Sequence, residues 1–134
     1  MNRKNARENA FILLFEAAAK NDETAEEIFE KASSVRELEC DDFVKTVFFG
    51  VNENLKMIDE YIEKSLVGWN KNRISLVSIA VIRLAAYEIM FMDDIPTKVS
   101  INEAIELSKK YDDDKAYMLV NGSVNKIAEL LSKK

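Results

Sequence analysis

Three cations near the start of the chain, Arg3, Lys4 and Arg7, have the type and spacing to bind an anion. With Glu8 they give residues 1–10 a net charge of +2, so the other 124 residues carry −7 in a chain whose total is −5. Each cation at a helix start opposes the helix dipole by about 0.3–1 kcal/mol, so stability does not explain them. A cationic end on an acidic body predicts a small contact site for a polyanion, the alternative being an ordinary exposed helix start. The same argument predicts that replacing Arg3 and Arg7 by alanine leaves thermal stability unchanged or slightly raised, because the dipole penalty is relieved.

The second candidate lies in the middle of the last predicted helix, where Gly122 follows Val120 and Asn121. A glycine removes a side chain from the helix surface and allows another backbone or a nucleotide to approach closely. The Asn121 amide can donate to and accept from a base edge or a carbonyl. Tight packing of a neighbouring helix on Gly122 is the alternative explanation.

The residue types exclude several classes of enzyme. The chain has no histidine, which removes Ser-His-Asp and Cys-His nucleophiles, HExxH zinc helices and Glu-x-x-His di-iron bundles. Gly50, Gly68 and Gly122 lie too far apart for a glycine-rich phosphate loop, and no cofactor is predicted. An enzyme that works through carboxylates alone remains an alternative, and it needs a buried acidic pair with a raised pKa.

Neither the single cysteine nor the acidic triplet predicts a metal site. Cys40 has no cysteine or histidine partner for a disulfide or a zinc site, and we interpret it as a small apolar residue. Carboxylates are favoured at helix starts, so Asp112, Asp113 and Asp114 are expected to cap the last helix rather than bind a cation.

Apolar residues recur at intervals of three and four, and only four positions are glycine or proline, which predicts an all-helical chain. At 134 residues and 48% apolar content it should form a single domain. Six helices are expected, three on each side of a break at Gly68–Asn72. They are predicted at about 6–19, 24–32, 41–66, 74–92, 101–111 and 115–131.

Local signals mark several of these boundaries. Thr24 with Glu27, and Ser100 with Glu103, have the spacing of capping boxes. Asp41 or Asp42 is a candidate cap for the third helix, and Gly68 a candidate terminator. Gly50, inside that helix, predicts a close helix crossing, because a mid-helix glycine otherwise costs about 1 kcal/mol.

The chain is expected to work in the cytoplasm and away from membranes. Its first residues include no apolar signal-peptide core, and a lone cysteine suits a reducing compartment. The apolar stretch Ile74–Met92 approaches the length of a membrane span, but it contains Arg83 and Glu88. Because a charge at the bilayer centre costs at least about 2.5 kcal/mol, we interpret this stretch as a buried central helix.

Several motifs together resemble the NusB family along nearly the whole chain, most densely from Trp69 to Ile127. The motifs, in order, are Ala6-Arg7-Glu8, Ile82-Arg83-Leu84-Ala85, Tyr87-Glu88, Ile95-Pro96 with Val99, Ile101-Asn102-Glu103-Ala104, Glu106-Leu107 with Lys109, and Val120-Asn121-Gly122. The resemblance implies an all-α fold of two three-helix bundles packed roughly perpendicular, at about residues 1–67 and 73–134.

The resemblance also implies a function in transcription antitermination without catalysis. Members of this family pair with the ribosomal protein NusE and bind the boxA segment of nascent single-stranded RNA. The complex helps RNA polymerase to read through terminators, notably in ribosomal RNA operons. One alternative is a homodimeric helical adaptor that binds no RNA. Another is an RNA-binding module of an RNA methyltransferase, which would need a catalytic domain.

Carried over position by position, the resemblance implies six RNA-binding residues. The basic start of the family falls on Arg3, Lys4 and Arg7, and its aromatic and polar RNA surface on Tyr87, Tyr111 and Asn121. Unpaired bases stack on aromatic rings, which is why tyrosine suits such a surface. Either tyrosine can equally belong to the core, so for both of them that alternative stays open.

Overall fold

The computed structural model describes residues 1–20, 22–70 and 73–133. These residues form seven α-helices and a π-helical turn, Lys31–Val35, which directly follows the second helix. The described part of the chain has no strand, which confirms the all-α prediction. The helices are α1 (Arg3–Ala19), α2 (Ala25–Glu30), α3 (Asp42–Glu53), α4 (Leu55–Ser65), α5 (Leu76–Phe91), α6 (Thr97–Tyr111) and α7 (Ala116–Leu130).

Polar side chains satisfy the free backbone amides at several helix starts. Thr24 and Glu27 form the predicted capping box reciprocally, with Thr24 Oγ1 accepting from the Glu27 amide and Glu27 Oε1 from the Thr24 amide. Asp41 accepts from the Val44 amide and opens α3, as predicted. Ser75 accepts from the Ser78 amide at the start of α5.

The predicted third helix is divided in two at Asn54, so the described residues form seven helices rather than the six expected. The Asn54 side-chain amide donates to the Gly50 carbonyl over 2.8 Å, and its backbone amide donates to Gly50 and Val51. Asparagine is disfavoured in helix interiors because its side chain competes for backbone hydrogen bonds in this way. The apolar rhythm continues across Asn54, which is why periodicity alone missed the break.

The predicted capping box at Ser100 and Glu103 is wrong. Helix α6 already begins at Thr97, directly after Pro96, which has no side-chain cap hydrogen bond. Ser100 Oγ donates instead to Glu88 on α5, and Glu103 lies 3.5 Å from Arg7 on α1. Both side chains therefore belong to a polar cluster between α1, α5 and α6 and do not cap α6.

Helix α5 is the centre of the molecule and packs against α1, α3, α4, α6 and α7. Most of its residues are buried, as expected of a helix that is apolar all round. No helix among the described residues is long and apolar enough to cross a membrane. The division into two bundles at about residues 1–67 and 73–134 stays a prediction.

Two glycines have identifiable structural roles. A Cβ atom added to Gly50 on α3 would overlap the ring of Tyr87 on α5, which confirms the predicted close helix crossing. Gly68 has φ of +93° and follows the end of α4, a backbone conformation that favours glycine.

Candidate nucleic-acid interface

Arg7 is a buried ion-pair residue and not an exposed cation. Only 4% of it is accessible, and its Nε and Nη2 donate to the two carboxylate oxygens of Glu88 over 2.8 and 2.9 Å. Glu88 is 1% exposed and also accepts from Ser100 Oγ over 2.9 Å. The prediction that Arg7 is presented to RNA is therefore corrected, because a buried carboxylate requires its charge as a partner.

A signal for this burial was present in the sequence. Arg7 lies three residues before Ala10 and seven before Leu14, both of which are buried on α1. Glu88 lies in the middle of the most apolar helix. A cation and an anion that each fall on core-facing positions are candidates for one buried pair.

Arg3 and Lys4, in contrast, are both exposed. The Arg3 guanidinium lies over the ring of Phe43 at 4.3 Å from its centroid, a cation–π contact that holds it against α3. Lys4 borders a cavity of about 130 Å³ between α1 and α6. Neither forms a salt bridge with any residue that the structure describes. These two side chains remain available to phosphate groups.

The electrostatics of this end differ from the sequence expectation. The α1–α6 cavity brings Lys4, Arg7 and Lys110 together with an equal number of carboxylates, those of Glu8, Glu103 and Glu106. Residues from α6 therefore neutralise much of the positive charge that residues 1–10 carry. The remaining cationic contact is smaller than the sequence predicts.

Tyr111, at the end of α6, is 37% exposed and lies beside this cavity. One part of its ring packs on Phe11, with 4.9 Å between the centroids, and the Lys110 ammonium lies 5.4 Å from its centroid. Lys110 also donates to Glu8 over 2.7 Å, and this hydrogen bond lowers the pKa of Glu8. Partial burial, and then a hydrogen bond with Glu8, raise the pKa of Tyr111. Lys110 is a further cation at this site, and its sequence position gave no signal of a binding role because basic residues at a helix end suit the dipole.

Tyr87 belongs to the core. It is 8% exposed and packs against Phe91, with ring centroids 5.0 Å apart, and against the bare backbone of Gly50. Burial raises the pKa of its hydroxyl. The prediction that Tyr87 lies on an RNA surface is corrected in favour of the core alternative.

Asn121 is exposed on α7 and lies away from the N-terminal cations. The side-chain amide of Asn125, one turn later, donates to its backbone and side-chain oxygens over 2.9 and 2.7 Å. Asn121 lines a groove between α6 and α7 that includes neither Arg3 nor Lys4. A Cβ added to the exposed Gly122 would meet nothing within 4 Å, so tight helix packing does not explain this glycine.

The acidic triplet and the cysteine have structural explanations. Asp113 accepts from the backbone amides of Lys115 and Ala116 at the start of α7, as predicted for a cap. Asp112 accepts from the hydroxyls of Ser75 and Ser78. Burial raises the pKa of the Cys40 thiol, which disfavours the reactive thiolate. Within the ranges that the structure describes, no group of three or more acidic or cysteine residues could hold a metal ion.

The chain is similar to known proteins over nearly its full length. The sequence pattern of the NusB family matches residues 4–129. A protein from Natranaerobius thermophilus described as transcription antitermination protein NusB is 42% identical over 137 residues, which span 99% of each chain.

Solved structures share the fold. T. maritima NusB is 37% identical, with a TM-score of 0.83 over 96% of this chain and 92% of that one. The NusB fold in a crystal structure of antitermination factors NusB and NusE with double-stranded RNA is 27% identical, with a TM-score of 0.82 over 96% of each chain.

Proposed function

Since this chain belongs to the NusB family, we propose that it is a transcription antitermination factor that binds boxA-type single-stranded RNA together with ribosomal protein NusE. The observation that carries the proposal is the match along nearly the whole chain to a fold solved with NusE and double-stranded RNA. This family is one of antitermination factors and not of enzymes. The factor would act in the cytoplasm, in a complex that lets RNA polymerase read through terminators, notably in ribosomal RNA operons.

The RNA contacts we propose are fewer than the six that the resemblance implies. Arg3 and Lys4 are exposed cations without salt bridges in the described chain, and they would bind phosphates. Tyr111 offers part of its ring to an unstacked base, and Asn121 offers an amide to a base edge. Arg7 and Tyr87 would support this surface from the core.

The partner protein would supply much of the remaining RNA-binding surface. Two phosphate contacts from Arg3 and Lys4 give a log-log salt slope of only about −1.4, at roughly −0.7 per phosphate on a single strand. We propose that NusE docks against the central and C-terminal helices. The central helix α5 and the C-terminal helix α7 carry exposed apolar side chains that such a partner would cover, those of Leu76 and Phe91 on α5 and Met118 on α7.

Fluorescence anisotropy tests the proposal directly. A labelled boxA RNA and a scrambled RNA of equal length are titrated with the chain alone, and then with a saturating amount of NusE. We expect weak binding by the chain alone and clearly tighter, sequence-selective binding with NusE. Equal affinity with and without NusE would refute the partner's role, and no RNA binding in either case would refute the function.

A homodimeric adaptor without RNA binding is the second candidate, and light scattering separates it from the first. The proposed factor should form a heterodimer when NusE is added, whatever its own free state. A stable homodimer that takes up neither NusE nor RNA would favour the adaptor. Transcription through a terminator downstream of boxA, with and without the chain, then tests read-through itself.

A further inference from the structure

The groove between the first half of α6 and the middle of α7 has a volume of about 590 Å³. Its apolar floor comes from Ile101 and Ile105 on α6. Three asparagine amides lie along it, those of Asn102, Asn121 and Asn125, and Lys98 and Lys133 provide two cations. Volumes of this size are typical of sites for small organic ligands and nucleotides.

The charge of this groove is opposite to that of the whole molecule. No carboxylate is among the described residues that line it, although the chain has a net charge of −5. Lys133 forms a bond of 3.0 Å with Asp93, whose side chain is 80% exposed, and such surface pairs are weak. Lys98 forms no salt bridge within the described part of the chain. This groove therefore favours an anionic occupant more than the balanced α1–α6 cavity does.

The uncharged lining suits nucleobases. The Asn102 side chain has no hydrogen-bond partner among the described residues, so its donors and acceptor are available to a ligand. Asparagine amides pair with base edges, and the apolar floor can cover the face of a base. Phosphates at the lysines and bases at the asparagines would use both halves of the lining.

Gly122 provides an independent observation beside the groove. It directly follows Asn121, is exposed in the middle of α7, and leaves open space where its Cβ would be. A glycine within a helix costs about 1 kcal/mol relative to alanine, and no packing contact in the described structure explains it. A ligand backbone that passes closely over α7 would explain it.

We propose that the α6–α7 groove is a nucleotide-binding site that takes one or two unstacked nucleotides of single-stranded RNA. Lys98 and Lys133 bind phosphates, the asparagine amides read base edges, and the RNA backbone crosses α7 at Gly122. The inference rests on the proposed RNA-binding function and adds a second contact region, separate from Arg3 and Lys4. It also assigns RNA contacts to Lys98 and Asn102, which the family resemblance does not.

A pair of lysine variants tests the phosphate contact by anisotropy, with labelled boxA RNA and the NusE-bound chain. Lys98→Gln removes a groove cation, and Lys56→Gln removes an exposed cation of α4, outside the groove. We expect Lys98→Gln to weaken binding about three- to tenfold and to reduce the salt slope by about 0.7. Lys56→Gln should leave both values unchanged. Equal effects of the two variants would overturn the site.

Two variants of Gly122 distinguish an effect on RNA binding from an effect on folding stability. Gly122→Ala should raise the melting temperature, because the new Cβ meets open space in a helix interior. Gly122→Gln keeps a good helix former and extends a side chain into the proposed path, so it should weaken RNA binding at least tenfold without loss of stability. A Gly122→Gln protein that binds RNA as tightly as the unaltered chain contradicts the proposal.

Controls distinguish this site from the function on which it depends. If the unaltered NusE-bound chain binds no RNA, the proposed function itself fails. If it binds RNA and the Lys98→Gln, Gly122→Gln and Asn102→Ala variants bind equally well, only the groove proposal fails. NusE affinity is measured separately without RNA, because loss of NusE binding in these variants would show a protein-docking surface and overturn the nucleotide site.

Discussion

The guanidinium of Arg7 and the carboxylate of Glu88 form a two-fold hydrogen-bonded ion pair, at 2.8 and 2.9 Å, although the residues are 81 positions apart. Both side chains are at least 95% buried. The pair joins α1 to α5, and Ser100 extends it to α6. A buried pair of this kind specifies how helices dock more than it adds net stability.

Removal of one member of this pair should strongly destabilise the fold, so the sequence-based expectation that loss of Arg7 leaves stability unchanged is corrected. We expect Arg7→Met to lower the free energy of unfolding by about 3–5 kcal/mol, because Glu88 would remain as an uncompensated buried charge. The double variant Arg7→Met/Glu88→Met should be much less destabilised than the sum of the single variants. Urea unfolding measures both effects, and additive losses would disprove the coupling.

The pair between Arg83 and Asp59 is a matched control with the same two-fold geometry, at 3.0 and 2.9 Å. Asp59 is 41% exposed, so water screens this pair. Arg83→Met should therefore lower stability by no more than about 1 kcal/mol.

Substitution of the exposed N-terminal cations should reduce RNA binding without unfolding the chain. Arg3→Gln with Lys4→Gln should reduce the salt slope of RNA binding by about 1.4, at roughly 0.7 per lost phosphate contact. Relief of the dipole penalty offsets the lost contact of Arg3 with Phe43, so stability should change by less than about 1 kcal/mol. Lys56→Gln with Lys64→Gln on α4 removes the same charge elsewhere. An equal effect of that control pair would show that only net charge matters.

Two glycine-to-alanine changes should have opposite signs. Gly50→Ala should lower stability by about 1–3 kcal/mol, because its Cβ overlaps the Tyr87 ring in a filled core. Gly122→Ala should raise stability by up to about 1 kcal/mol. Thermal unfolding of the two single variants checks this, and a destabilised Gly122→Ala protein would show a packing contact at α7.

Substitution of Tyr111 and of Tyr87 should distinguish a tyrosine that stacks on an RNA base from one that packs in the core. Tyr111→Leu should weaken RNA binding by about 1–3 kcal/mol if one base stacks on the exposed part of its ring. Tyr87→Leu should lower stability and leave the RNA affinity of the folded protein unchanged. Anisotropy is measured at a temperature where both variants are folded. If Tyr111→Leu binds normally, this ring contacts no base.

The pair between Glu8 and Lys110 should give a small pH dependence of stability. The hydrogen bond from Lys110 lowers the pKa of Glu8 below its ordinary value of 4.5, so the folded state holds this proton less tightly than the unfolded state. The stabilisation is therefore present above pH 4.5 and is lost as the pH falls through the lowered pKa. Lys110→Gln should remove this part of the acid dependence. A stability difference between Lys110→Gln and the unaltered chain that persists unchanged at low pH would contradict the assignment.

Local sequence signals predicted much of the fold because helix formation depends on residues three or four positions apart. The Thr24–Glu27 capping box and the Asp41 cap form as expected, and the apolar length of Ile74–Met92 identified the central helix α5. The signals failed where a distant group competed for the same side chain. Ser100 and Glu103 have the correct capping-box spacing, but Glu88 and Arg7 take up their polar atoms.

The sequence by itself determined the helical class, the start of several helices and the family, since periodicity, capping and motif order are all properties of the linear chain. Only the tertiary structure decided that Arg7 and Tyr87 are buried, that Lys110 and three glutamates surround Lys4, and that Lys98 and three asparagines line one groove. The physical reason is that burial and local charge depend on which helices meet. Residues far apart in sequence meet only through helix packing, so their spacing along the chain does not reveal the contact.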